Sequence, residues 1–170
     1  MCEPNAGKIR FSLTKLASSS AGLRESVMNI AAIIADRRGQ TIISCNADTP
    51  LVEAIRILSK QRIGAMPVLR EGEVVGIISE RDVVYCIADD AGVCLSQPVE
   101  HLMTSPAITV SPATTIDEAL GLMTRRRFRH FPVVEDGALV AFISIGDLVK
   151  HKMDEIEHEA AALRDYIQTV

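Results

Sequence analysis

The chain has 170 residues, 48% of them hydrophobic and 24% charged, with a formal net charge of −4. This is ordinary globular composition, enough for one domain of normal size. The acidic balance, the absence of tryptophan and a mere two tyrosines and four phenylalanines argue against a nucleic-acid surface.

Residues 1–25 are basic and serine-rich, with no continuous apolar core, so they do not read as a secretory signal. They read as a flexible extension, faintly like an organelle transit peptide, with Met28 as an alternative original start. No apolar run reaches the ~18 residues a membrane span needs; "NIAAIIAD" and "VVYCIAD" are both too short. Cys2, Cys45, Cys86 and Cys94 form no C-x-x-C pair and no zinc spacing, so they read as small buried thiols in a reducing cytosol.

From residue 41 the elements come in a definite order. "TIIS" reads as a strand, Thr49 as a helix cap and Pro50 as the first helical residue. Apolar residues at Leu51, Ala54, Ile55 and Leu58 mark one helix face. "AMPVL" and "VVGIIS" read as strands joined by a tight turn at Gly72, and a further helix opens at Arg81 and Asp82. The same order then repeats. "AITV" is a strand, and Thr115 with Glu118 forms a capping-box pattern. Ile116, Ala119, Leu120 and Met123 give the helix stripe, and "HFPVV" and "LVAFIS" flank Gly137 before a helix opens at Gly146 and Asp147.

A shift of 65 residues aligns positions 43–84 with 108–149 without a gap, with 13 identities over 42 positions. Chance would give roughly two or three at ordinary residue frequencies. The fold class is thus α/β (α+β), built from two β-α-β-β-α units. Each unit is too small to bury much core alone, and stacking lets the pair share one. The boundaries read as 26–90 for the first repeat, 91–105 for a linker with a short helix, 106–150 for the second repeat and 151–170 for a C-terminal helix.

"R-x-x-x-x-P-V-x-x-x-G" and "G-h-h-S-x-x-D", in that order and in both copies, resemble the CBS domain. The chain resembles a tandem pair, or Bateman module, of the small free-standing bacterial type. The second copy departs from the pattern at Ala141, where the first has Gly76. The resemblance implies approximate twofold packing with two clefts between the copies. It also implies an adenosine-containing ligand: AMP, ADP, ATP or NAD(H), with S-adenosylmethionine ranked behind them. It implies regulation rather than catalysis.

The motif has its own chemistry. In "S-x-x-D" a strand ends and a helix begins, so Ser79 or Ser144 and the helix N–H groups suit a phosphate. Asp82 or Asp147 suits a ribose diol, because a carboxylate accepts two hydrogen bonds. The same residues also suit plain helix capping. Ser44 and Thr109 can offer backbone groups to a base edge, while Met66, Pro67, Phe131 and Pro132 can wall the cleft. Arg81 adds a cation in the first copy. In "RRRFRH", Arg125 and Arg126 read as solvated, and Arg129 and His130 as facing the cleft.

Val149, Met153, Ile156, Ala160, Leu163 and Ile167 are spaced 4, 3, 4, 3, 4, a heptad seam that suits either a helix returning onto its own domain or a second copy; the last two turns extend beyond the repeat unit, so the expectation is a homodimer. His151, Asp154, Glu155 and His158 can share a helix face, which reads as solvated rather than metal-binding. No glycine-rich phosphate loop and no convincing Ser-His-Asp set occurs. The expectation is a cytoplasmic nucleotide sensor acting on a separate protein, with no enzyme activity, no catalytic cofactor, no nucleic acid and no membrane. The alternative is an interaction module with degenerate clefts.

Overall fold

The computed structural model describes residues 28–37, 40–90 and 93–168. Helix α1 (Ile30–Asp36) leads to β1 (Cys45–Asn46), α2 (Leu51–Gln61), β2 (Ala65–Arg70), β3 (Glu73–Ser79) and α3 (Glu80–Asp90). Two 3-10 turns, Val93–Ser96 and Val99–His101, connect to α4 (Ile116–Arg126), β4 (His130–Glu135), β5 (Ala138–Ser144) and α5 (Ile145–Gln168). These are two β-α-β-β-α repeats packed with pseudo-twofold symmetry, plus a helical C-terminal extension.

The hairpins follow from their turn residues. Glu71 and Gly72 have φ of 53° and 89°, and Asp136 and Gly137 have 50° and 82°. Two consecutive positive φ values make the two-residue turn that matches strand twist. The first strands are shorter than expected. Residues 41–44 lie in no strand, and β1 pairs parallel with β2 through Cys45–Val68 and Asn46–Leu69. In the second repeat the equivalent is one parallel bridge, Val110 to Val133. A β-branched run becomes a strand only where a neighbouring edge supplies partners.

The helix starts differ too. In α4 the capping box is complete: Glu118 N–H donates to Thr115 Oγ1 at 3.1 Å, and Thr115 N–H donates to Glu118 Oε2 at 3.0 Å. Thr115→Ala is expected to cost about 1 kcal/mol of stability, read by urea unfolding; an unchanged midpoint would remove the cap's role. In α2 the cap is Pro50, not Thr49, and Thr49 Oγ1 instead accepts from Asn46 N–H at 3.1 Å.

Two cores form rather than one shared core. The first gathers Leu51, Leu58, Met66, Val68 and Ile78 with Cys94 and Val99 from the 3-10 turns. The second gathers Ile116, Met123, Phe131, Ile143 and Leu148 with Ile30 and Ile33 from α1. Backbone bonds tie these additions down: Ile30 N–H to the Thr114 carbonyl at 2.9 Å, and Val99 N–H to the Thr49 carbonyl at 2.9 Å. Each repeat is therefore completed by the segment that precedes the other. No helix among the described residues is long and apolar enough to cross a membrane.

Candidate functional site

The pleat decides which residues reach the space between the repeats. Residues paired across an antiparallel ladder share a face. Ala65 pairs with Ser79 and Met66 with Ile78; in the second repeat, His130 pairs with Ser144 and Phe131 with Ile143. Ala65, Ile77 and Ser79 line an inter-repeat cleft, whereas Met66 and Ile78 are wholly buried in the first core. Phe131 and Ile143 are likewise buried in the second core. Met66 and Phe131, expected as cleft walls, thus belong to the two cores, and Pro67 and Pro132 are also buried.

The cleft has a volume of about 460 Å³, within the usual range for small-molecule sites. One side carries Ser79, Glu80, Arg81 and Asp82; the other carries Ile108 and the run Arg126, Arg127, Phe128, Arg129 and His130. Arg81 and Arg129, read from different repeats, therefore line a single cleft. Arg126, expected in solvent, lines it as well, and Arg127 was missed. Arg127 caps α4 with φ of 58°, which turns the chain from the helix into the cleft wall. Four arginines and two carboxylates line the cleft. Thr109 is exposed beside the cleft-lining Ile108, and Ser44 is half-buried outside this cleft.

Both S-x-x-D junctions make their capping bonds. Asp82 Oδ2 accepts from Ser79 N–H at 2.8 Å and from the Ser79 hydroxyl at 2.6 Å. Asp147 Oδ2 accepts from Ser144 N–H at 2.7 Å and from the Ser144 hydroxyl at 2.8 Å. Capping consumes one oxygen of each carboxylate. Asp147 Oδ1 also accepts from the Arg37 guanidinium. Burial pushes the Asp147 carboxyl up, but the Ser144 bonds and Arg37 outweigh it and hold it below the ordinary range. Its contribution to stability is present at neutral pH and is lost as pH falls through that depressed value.

His130 stacks on Phe142 with ring centres 5.4 Å apart. Burial pushes its imidazole below the ordinary histidine range; Asp147 opposes this and Arg129 reinforces it. At neutral pH it is a neutral hydrogen-bonding group in the cleft wall. The unfolded chain binds the proton more readily, so stability falls as pH drops through the ordinary histidine range. His130→Gln is expected to flatten that part of the stability–pH curve; an unchanged slope would exclude His130 as its source.

The cysteine reading needs correction. Cys86 on α3 and Cys94 are joined in a disulfide, with Cα atoms 6.3 Å apart. The turn after α3 brings together two residues that linear spacing separates. Among the described residues Cys45 is the free thiol, and burial pushes it up to about 11, which leaves it protonated and unreactive.

Duplicated β-α-β-β-α units, each with a serine–aspartate pair at a strand–helix junction, the first of which lines the cleft between the repeats, define a paired-repeat module. The family model "CBS domain" matches residues 37–89 and 99–154, and the chain belongs to the CBS-domain family. It is 35% identical over 129 residues to the CBS domain-containing protein CBSX3, mitochondrial, of Arabidopsis thaliana, covering 73% of this chain and 63% of that protein. The crystal structure of the CBS-domain containing protein ATU1752 from Agrobacterium tumefaciens superposes with a TM-score of 0.69 at 36% identity, covering 74% of this chain and 99% of that one. A putative signal-transduction protein with CBS domains from Burkholderia ambifaria gives 0.70 at 32%, covering 75% and 95%. More distant structures share the fold and hold adenosine compounds. The MJ0100 CBS pair, at 23% identity over 76% of this chain and 98% of that one (TM-score 0.65), holds 5′-methylthioadenosine and S-adenosyl-L-methionine. CBSX2, at 21% over 75% and 97% (TM-score 0.63), holds AMP. CBS-domain pairs are regulatory modules rather than catalytic units.

Proposed function

We propose that this chain is a nucleotide-responsive regulatory module that binds an adenosine-containing nucleotide between its repeats and acts on a separate protein. The observation that carries this reading is the Asp82 cleft. A junction carboxylate suited to a ribose diol faces Arg81, Arg126, Arg127 and Arg129, which suit phosphates. Apolar Ile77 and Ile108 offer flanks for a base. AMP, ADP, ATP and NAD(H) all meet these requirements. Ligands bound by the distant relatives support the adenosine class.

Thermal shift with each nucleotide tests the reading. At a hundred times Kd a native-state ligand adds ~2.7 kcal/mol, or several degrees for a chain of this size. Arg81→Ala combined with Arg129→Ala is expected to weaken binding at least tenfold by calorimetry. No shift with any nucleotide, using protein freed of copurified ligand, would favour the interaction-module alternative.

The same module is proposed to dimerise. Val149, Met153, Ile156, Leu163 and Ile167 on α5 and Val84, Tyr85 and Ile87 on α3 are exposed apolar side chains. The α5 residues keep heptad spacing, which suits a second copy of the same helix. Truncation after Lys152 is expected to halve the mass seen by light scattering; a monomer in the intact protein would end this part of the proposal.

A further inference from the structure

The two junctions are built alike and end differently. Each aspartate spends Oδ2 on its own serine. A ribose diol needs the other oxygen as well. Asp82 Oδ1 has no hydrogen-bond partner among the described residues, and Asp82 lines the cleft. Asp147 Oδ1 is engaged by Arg37, 110 residues away in the chain.

Arg37 is not a stray surface cation. It follows Ile33 by four residues, so both lie on one face of the α1 helix and its end, and Ile33 is wholly buried in the second core. The preceding residue, Asp36, lies 3.6 Å from His151. Asp147 and His151 are themselves one helical turn apart on α5. Two consecutive residues at the end of α1 thus engage one face of α5. On the other side of the pseudo-twofold, the segment beside Asp82 offers Thr104, Pro106 and Ala107, none of which is charged.

We propose that Arg37 is a latch on the second site: its guanidinium takes the place of a ribose diol at Asp147. The chain then has one open nucleotide site, at Asp82, and one latched site that fills only when the end of α1 is released. This rests on the nucleotide reading above and adds an order of occupancy to it. Ser144 fills both acceptor sites of Oδ2 and Arg37 takes one of the two on Oδ1, so Asp147 cannot accept both hydroxyls of a diol while Arg37 is in place, and a ligand must displace a charge-assisted bond. Its apparent affinity is lowered by the small fraction of chains in which that bond is open. Occupancy of the second site would also detach the end of α1 from α5, so filling it changes shape where filling the first does not.

Calorimetric titration of the intact protein with ATP, and separately with AMP, counts the sites. Wild type is expected to bind one equivalent per chain, and Asp82→Ala none in the same concentration range. Arg37→Ala is expected to bind two, with at least a tenfold gain at the second site; Asp82→Ala combined with Arg37→Ala is expected to keep one. Arg37→Gln repeats the test with side-chain length preserved, and circular dichroism melts verify that each variant is folded. Two comparable sites in wild type, a wild-type-like site surviving in Asp82→Ala, or a single site persisting in both folded Arg37 variants would each overturn the latch while leaving nucleotide binding intact. No binding by wild type or by either Arg37 variant would instead retire the nucleotide reading, and the latch with it.

Discussion

Phe131→Ala is expected to lower the stability of the protein by about 3–5 kcal/mol, a large share of a total of about 5–15 kcal/mol for an ordinary domain. Phe131 is wholly buried in the second core, and its ring meets Phe128 edge-on with centres 4.9 Å apart. Truncation leaves a cavity between α1, α4 and the β4–β5 hairpin, and removes the ring pair as well. Urea unfolding measures the effect. A loss below about 1 kcal/mol would mean that the site collapses freely, or that Phe131 is not the anchor its burial implies. The experiment also separates two roles, because a cleft-wall residue would change nucleotide affinity more than stability.

Gly76→Ala is expected to destabilise by about 1–3 kcal/mol, through overpacking rather than backbone strain. A Cβ there would lie 2.4 Å from Met103 Sδ, 2.9 Å from Met103 Cγ and 3.1 Å from the Thr104 carbonyl oxygen. The Met103 tip can move aside. Thr104 cannot move as readily, since it exchanges backbone bonds with Ile77 at 2.9 and 3.1 Å. Ala141 occupies the equivalent place in the second repeat, where it is buried in the second core. A close approach does require Gly76, but the approaching group is Met103 and not a ligand. Thermal melting decides the matter: unchanged stability of Gly76→Ala would show that the 103–104 segment yields easily.

What was legible in the sequence was whatever is local or repeated. The hairpin turns at Gly72 and Gly137, the Thr115–Glu118 box and the two S-x-x-D junctions each depend on residues within four positions of one another. Their chemistry could be read directly, and the duplication doubled the signal. What was not legible depends on contacts between distant segments. "NIAAIIAD" carries no repeat partner, so its service to the second core was invisible. The Arg37–Asp147 contact spans 110 positions. The merging of Arg81 and Arg129 into one cleft depends on how the two copies face each other, which no single copy encodes. The burial of Met66 and Phe131 turned on the phase of a two-residue period, and a one-residue error moves a side chain from cleft to core.

The exchange of completing segments has a consequence for synthesis. A chain emerging from the ribosome exposes its N-terminal part first, and domains tend to fold in that order. The first core can close once residues through Val99 have appeared, since Cys94 and Val99 are its last buried members. Helix α1 is made before any of this, yet its partners Ile116, Phe131, Ile143 and Leu148 come last. Ile30 and Ile33 must therefore wait, with their apolar face uncovered, while more than a hundred further residues are made. The earliest helix among the described residues is among the last to find its place, and the Arg37 contact can form only after it does.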